Sequence, residues 1–157
     1  DRVSSFLFGT RLTNITRTMR RKDPDVAIDQ CAAQVEDWAG GTRIGVTLAE
    51  FNRIWSRRVM TQGPIVLLIT DGLDRDGAKG LEAEMERLHK SCRQLIWLNP
   101  LLRWDGYSPK ASGAKAMIRN VDSFRPIHNL DSLEKLADAL SKETPAQNLA
   151  RWKEMAA

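Results

Sequence analysis

The sequence predicts an α/β fold: an open, mostly parallel sheet layered with helices. Three observations carry that prediction. Ile65-Val66-Leu67-Leu68-Ile69 is a continuous apolar run, the pattern of a strand covered on both faces in a parallel sheet. Residues 94–98 (Gln-Leu-Ile-Trp-Leu) repeat the pattern. Between and before these runs, apolar residues fall at helical spacing, Ile44, Leu48, Phe51 and Trp55, then Leu81, Met85, Leu88 and Cys92. Strands alternating with amphipathic helices are the signature of βαβ units.

The elements follow in order. Val3 to Phe8 is rich in β-branched and aromatic residues, and Gly9-Thr10 turns the chain into a short return strand over 11–16. Asp23-Pro24 opens a helix, because Asp caps free N–H groups and Pro suits the first helical position. Val26, Ile28, Cys31, Ala32 and Val35 supply its apolar side, and it ends at Trp38-Ala39-Gly40-Gly41. A second helix runs from about Ile44 to Val59, and Gln62-Gly63-Pro64 breaks the chain before the 65–70 strand. A third helix carries Leu81 to Cys92, and Asn99-Pro100 closes the next strand. Residues 101–120 read as a surface excursion with a short helix over 114–118. Ser123 to His128 form a last short strand. Asp131 or Ser132 caps a final helix bearing Leu133, Leu136 and Leu140. After Pro145 a polar segment with Leu149, Trp152 and Met155 reads as a loosely docked helix.

Composition narrows the function classes. At 157 residues the chain suffices for one domain with a substantial core. Hydrophobic residues at 42% and charged residues at 28% argue against disorder. No apolar run approaches the roughly 20 residues of a membrane span. Cys31 and Cys92 lie far apart without a CxxC pattern, which points to core thiols in a reducing, cytoplasmic compartment. The net charge is +4, but 24 basic residues interleave with 20 acidic ones. The basic knots, Arg17 with Arg20, Arg21 and Lys22, and the pair Arg57-Arg58, read as solvated faces, and no nucleic-acid partner is expected. Asp1 begins almost within a strand, a start expected where a chain's beginning lies upstream.

In open α/β sheets, ligands collect beyond the carboxyl ends of the strands. Two features belong there: Gly40-Gly41-Thr42 before a helix, and Asp71-Gly72-Leu73-Asp74-Arg75-Asp76 after the most apolar strand. A hydroxyl and a carboxylate from separate loops are oxygen donors suited to a hard cation such as Mg²⁺. The competing account has Thr42 capping the helix and Asp71 bonding nearby backbone. An enzymatic alternative, a Mg²⁺-dependent phosphotransferase or hydrolase, would use Asp71, Asp74 and Asp76. Neither histidine supports it: His89 reads as solvated on the third helix, and His128 as part of a turn. Trp104 and Tyr107 are candidate partner contacts.

Phe6-Leu7-Phe8-Gly9-Thr10-Arg11-Leu12-Thr13-Asn14-Ile15-Thr16, Trp38-Ala39-Gly40-Gly41-Thr42-Arg43-Ile44-Gly45, Leu68-Ile69-Thr70-Asp71-Gly72 and Leu95-Ile96-Trp97-Leu98-Asn99-Pro100-Leu101 together resemble the CoxE-like family of von Willebrand factor type A (VWA) proteins. Val121-Asp122 and residues 128–133 resemble the family's ending. The resemblance implies a Rossmann-like three-layer VWA fold over residues 1–142, incomplete in its first strand and first helix, with 143–157 as a polar helical tail. It also implies a metal-ion-dependent adhesion site, in which Thr42 and Asp71 match two of three elements, with Gly40, Gly41 and Gly72 letting the loops approach. The third element, Asp-x-Ser-x-Ser, does not occur in these residues, and Ser4-Ser5 is no substitute. Divalent metal, Mg²⁺ or another, is therefore expected to bind this chain weakly or not at all. The resemblance further implies a non-enzymatic adaptor that works beside a MoxR-type AAA+ ATPase on a client metalloenzyme, of the carbon monoxide dehydrogenase type.

Overall fold

The computed structural model describes residues 2–35, 39–142 and 149–157. Strands β1 (Phe6–Phe8) and β2 (Leu12–Asn14) form an antiparallel hairpin, with Phe6 opposite Asn14. Helix α1 (Pro24–Gln34) follows. Asp23 Oδ1 accepts the backbone N–H groups of Asp25 at 3.0 Å and Val26 at 3.3 Å, so the cap is the one the sequence predicts. Helix α2 (Ile44–Glu50) continues through a π turn (Phe51–Trp55) into α3 (Ser56–Val59). Then come β3 (Ile65–Ile69), α4 (Leu81–Lys90), β4 (Gln94–Asn99), α5 (Ser112–Ile118), β5 (Ser123–Pro126), α6 (Leu130–Lys142) and α7 (Leu149–Ala156).

β3, β4 and β5 form a parallel sheet in that order, with Leu67 opposite Ile96 and Leu98 opposite Arg125. Side chains alternate across it, which makes the three layers. One face presents Leu68, Leu95, Trp97 and Phe124 to Leu81, Met85 and Leu88 of α4, Met117 and Ile118 of α5, and Ile44 and Leu48 of α2. The other face sets Ile96 and Leu98 against Leu136 of α6, with Ile65, Ile127 and Leu140 alongside. Trp97 is wholly buried. Its ring stacks on Phe124 at 4.3 Å, and its indole N–H donates to the Thr70 carbonyl at 2.9 Å. A buried Trp needs such an acceptor, and here the acceptor fixes the end of β3.

Several expectations are corrected. β3 is not covered on both faces: it is an edge strand of the three, and Leu67 and Ile69 are 43% and 53% exposed. The covering helix α6 packs over β4 and β5, leaving these two side chains outside its reach. In α1, Val26 and Ile28 face outward while Ala27 and Cys31 are buried. That helix leans on the short turn Thr18–Arg20, where Cys31 Sγ lies 3.7 Å from Met19 Sδ. Asn129, rather than Asp131 or Ser132, caps α6. Its Oδ1 accepts the Ser132 N–H at 2.9 Å, and Ser132 Oγ accepts the Asn129 N–H at 3.2 Å, a reciprocal box. Cys92 lies beyond α4 and is half-buried. Helix α7 is well docked: Ala156 is buried, and Trp152 meets Phe124 edge-on at 5.5 Å. Trp38, Pro145 and the boundary drawn after residue 142 lie at or outside the limits of the described residues.

Candidate functional site

The loop after β3 is built from two overlapping side-chain turns. Thr70 Oγ1 accepts the Gly72 N–H at 3.2 Å, and Asp71 Oδ1 accepts the Leu73 N–H at 2.9 Å. Short polar side chains bonding their own backbone two residues on is what such turns consist of. Gly72 has φ of 79°, and a Cβ there would lie 2.8 Å from Cζ2 of Trp97. Gly113, at the start of α5, is tighter still: its Cβ would stand 2.2 Å from the Gly72 carbonyl oxygen. Two glycines therefore let this loop sink against the core indole and α5.

The loop that precedes α2 meets the same edge. Arg75 N–H donates to the Thr42 carbonyl at 2.8 Å, and the Arg75 guanidinium to the Gly40 carbonyl at 2.6 Å. Arg43 Nε pairs with Asp76 Oδ2 at 2.8 Å, and Ile44 N–H donates to Asp74 Oδ1 at 2.9 Å. The glycine-threonine loop is thus stitched to the acidic loop at Asp74, Arg75 and Asp76. Gly41 adopts φ of 76° beside the Arg75 side chain. The hairpin closes the other side, with Arg43 N–H donating to the Gly9 carbonyl at 2.9 Å. A cavity of about 410 Å³ lies there, lined by Gly9, Thr10, Arg11, Gly41, Thr42 and Glu50 among others.

The helix cap falls to a different residue from the one proposed for it. Thr42 does not cap α2; Asp74 does, from the neighbouring loop, while its Oδ2 accepts the Ala78 N–H at 2.9 Å. Both oxygens of Asp74 are committed to backbone, and Asp76 is committed to Arg43. Among the described residues no three His, Cys, Asp or Glu side chains converge to hold a metal, so Asp71, Asp74 and Asp76 do not form one cluster. The Thr42 hydroxyl and Asp71 Oδ2 enter no hydrogen bond among the described residues. In chemistry these two oxygens suit a hard divalent cation; in number they fall well short of the six that Mg²⁺ fills.

Sequence reading missed Asn99. Wholly buried at the end of β4, its Oδ1 accepts the Leu101 N–H at 2.8 Å, and its Nδ2 donates to Tyr107 Oη at 3.1 Å and toward the Asp71 carbonyl at 3.4 Å. The Asn-Pro pair was the available signal, since Asn before Pro marks a cap. Of the two candidate contact aromatics, Trp104 is exposed, with the Arg103 guanidinium 4.7 Å above its ring. Tyr107 is partly buried, its ring tilted against Phe124 and Trp152. Burial pushes its phenol above the ordinary value and the Asp71 charge adds to that, while the Asn99 bond opposes both. His89 is also corrected, because it is paired: Nε2 lies 2.9 Å from Asp122 Oδ1. Asp122 Oδ2 accepts the Leu95 N–H at 2.7 Å, locking the start of β4 to the end of α4.

A parallel sheet between helix layers, with two polar loops joined at the carboxyl end of its strands, defines a Rossmann-like α/β domain of the VWA kind. The chain belongs to the family described as VWA domain containing CoxE-like protein, whose family model matches residues 1–133. No curated protein and no solved structure matches the chain. No helix of the described residues is long and apolar enough to cross a membrane.

Proposed function

We propose that this domain is a non-enzymatic adaptor that acts beside a MoxR-type AAA+ ATPase in the cytoplasm, during maturation of a metalloenzyme of the carbon monoxide dehydrogenase type. Family membership supports the adaptor class, since VWA domains mediate protein–protein interaction. The observation that supports the site is the stitched pair of loops, in which Asp74 and Arg75 of the loop after β3 bond the Thr42–Ile44 segment. Thr42 Oγ1 and Asp71 Oδ2 are the oxygens this chain would offer to a divalent cation. Such a cation, when bound, supplies positive charge and open coordination positions for a partner's carboxylate. Gly41 and Gly72 shape the loops, Gly40 is gripped by Arg75, and Trp104 offers an exposed aromatic anchor.

The test is co-purification of the 157-residue chain with a MoxR-type ATPase, in Mg²⁺ and in chelator. Association that needs Mg²⁺ and is lost in Asp71→Ala and weakened in Thr42→Ala is the expected result. Association indifferent to both chelator and Asp71→Ala would reject the metal-mediated reading. Calorimetry on the chain alone is expected to give a Mg²⁺ dissociation constant weaker than about 10⁻³ M, because water must fill most coordination positions.

A further inference from the structure

Two sulfur atoms from separate elements converge beside α1. Cys31 Sγ, on the helix, lies 3.7 Å from Met19 Sδ, on the turn Thr18–Arg20. The backbone is held on both sides of this contact. The Met19 N–H donates to the Ile15 carbonyl at 2.9 Å, and Gln34 Nε2 donates to Thr18 Oγ1 at 2.7 Å, which ties the turn to the last residue of α1. Cys31 stands one helical turn after Ala27, and both are buried. Met19 is half exposed, and its unbranched side chain has three bonds about which to swing, so the pair opens to solvent on that side. The two thiols of the chain differ in their partners. Cys92 donates to the His89 carbonyl at 3.5 Å, whereas among the described residues the Cys31 thiol has the Met19 sulfur as its hydrogen-bond partner.

A thiolate and a thioether are soft ligands and select soft cations. Zn²⁺ takes four ligands, and an iron–sulfur cluster takes four thiolates. Among the described residues no three His, Cys, Asp or Glu side chains converge to supply them. Monovalent copper and silver are satisfied by two or three ligands. With metal–sulfur bonds of about 2.3 Å, the 3.7 Å separation subtends about 110° at an ion between the two atoms. That bent geometry leaves a third position for a ligand from solvent. We propose that Cys31 and Met19 form a binding site for a soft monovalent cation, Cu⁺ or its analogue Ag⁺. The Cys31 thiol releases its proton to solvent as the ion binds, and the thiolate–cation unit is then neutral. Neutrality matters at a buried position, where an uncompensated charge is costly. The site uses neither Thr42 nor Asp71, whose oxygens suit hard cations, and it stands apart from the reading above.

The experiment titrates the 157-residue chain with Cu⁺ under anaerobic conditions, against a coloured copper(I) chelator that reports the ion left unbound. One ion per chain is expected in the wild type and equally in Cys92→Ser, and none in Cys31→Ser. Met19→Leu keeps the volume and removes the sulfur, so it should fold with an unchanged circular dichroism spectrum and bind more weakly by about tenfold or more. A second readout follows the ε-methyl groups of the five methionines by nuclear magnetic resonance during an Ag⁺ titration. One of the five signals, the one missing in Met19→Leu, is expected to shift, and Zn²⁺ should not move it. Should Cys31→Ser fail to fold, Met19→Leu and the methyl signals still decide. Absence of stoichiometric binding, binding that is lost in Cys92→Ser, or full affinity in Met19→Leu would overturn the proposal.

Discussion

Asp74 reaches across from the acidic loop to Ile44, its Oδ1 accepting the first amide of α2 at 2.9 Å, while Oδ2 holds Ala78 in its own loop. One carboxylate therefore caps a helix thirty residues earlier in the chain and fixes the spacing of the two loops. A carboxylate at this end of a helix also meets a favourable dipole.

Removing that carboxylate should loosen both loops at once. Asp74→Ala is expected to cost about 1–2 kcal/mol, read as a lower urea midpoint at unchanged slope. Asp74→Asn should cost less, because it keeps an acceptor. A loss from Asp76→Ala that matched or exceeded that of Asp74→Ala would show that the exposed ion pair, not the cap, holds the loops.

Gly113→Ala places a methyl group against a backbone oxygen that cannot swing away, since Gly72 is itself pressed on Trp97. The expected cost is roughly 3 kcal/mol. Gly77→Ala, at φ of 67° with nothing near its Cβ, should cost about 1 kcal/mol. Equal thermal shifts in the two variants would show that α5 yields easily.

Tyr107 reports on the charge of Asp71. Because the Asp71 charge raises the phenol's pKa, Asp71→Ala should lower it, and because the Asn99 bond lowers it, Asn99→Ala should raise it. An ultraviolet difference titration measures both. Asn99→Ala should also destabilise the fold by about 2 kcal/mol, since the Leu101 amide and the Tyr107 hydroxyl lose a buried partner.

Burial, with the Asp122 charge behind it, pushes the Cys92 thiol from 9.0 to about 11. Iodoacetamide should therefore modify Cys92 in the folded chain about a hundredfold more slowly at pH 8 than in the unfolded chain, since each unit is tenfold in thiolate. The folded state holds this proton more tightly than the unfolded one. Its contribution to stability is thus complete below pH 9 and is lost as pH rises toward 11. A reaction rate that levels off near pH 9 would contradict the assignment.

Much of the fold is legible because it rests on local chemistry. Asp23-Pro24 caps and starts α1 with its own side chain, and the apolar runs of β3 and β4 pair in parallel register. Gly40-Gly41-Thr42 is readable as a loop before a helix, and Asp71-Gly72 as a loop beyond a strand end. The illegible parts depend on neighbours distant in sequence. Nothing local tells that Asp74 serves Ile44, that His89 finds Asp122, or that Gly113 must be small for the sake of Gly72.

Periodicity and turn chemistry in the chain itself determined the order of strands and helices, the parallel sheet, and the two loops that face one edge. The tertiary structure alone decided that Thr42 is left free of capping duty, that Asp74 and Asp76 are consumed in holding the loops, and that Leu67 and Ile69 stand exposed. The reason is that a polar side chain's role is set by which donors or acceptors packing brings within about 3 Å, and an apolar one's by which layer reaches over it.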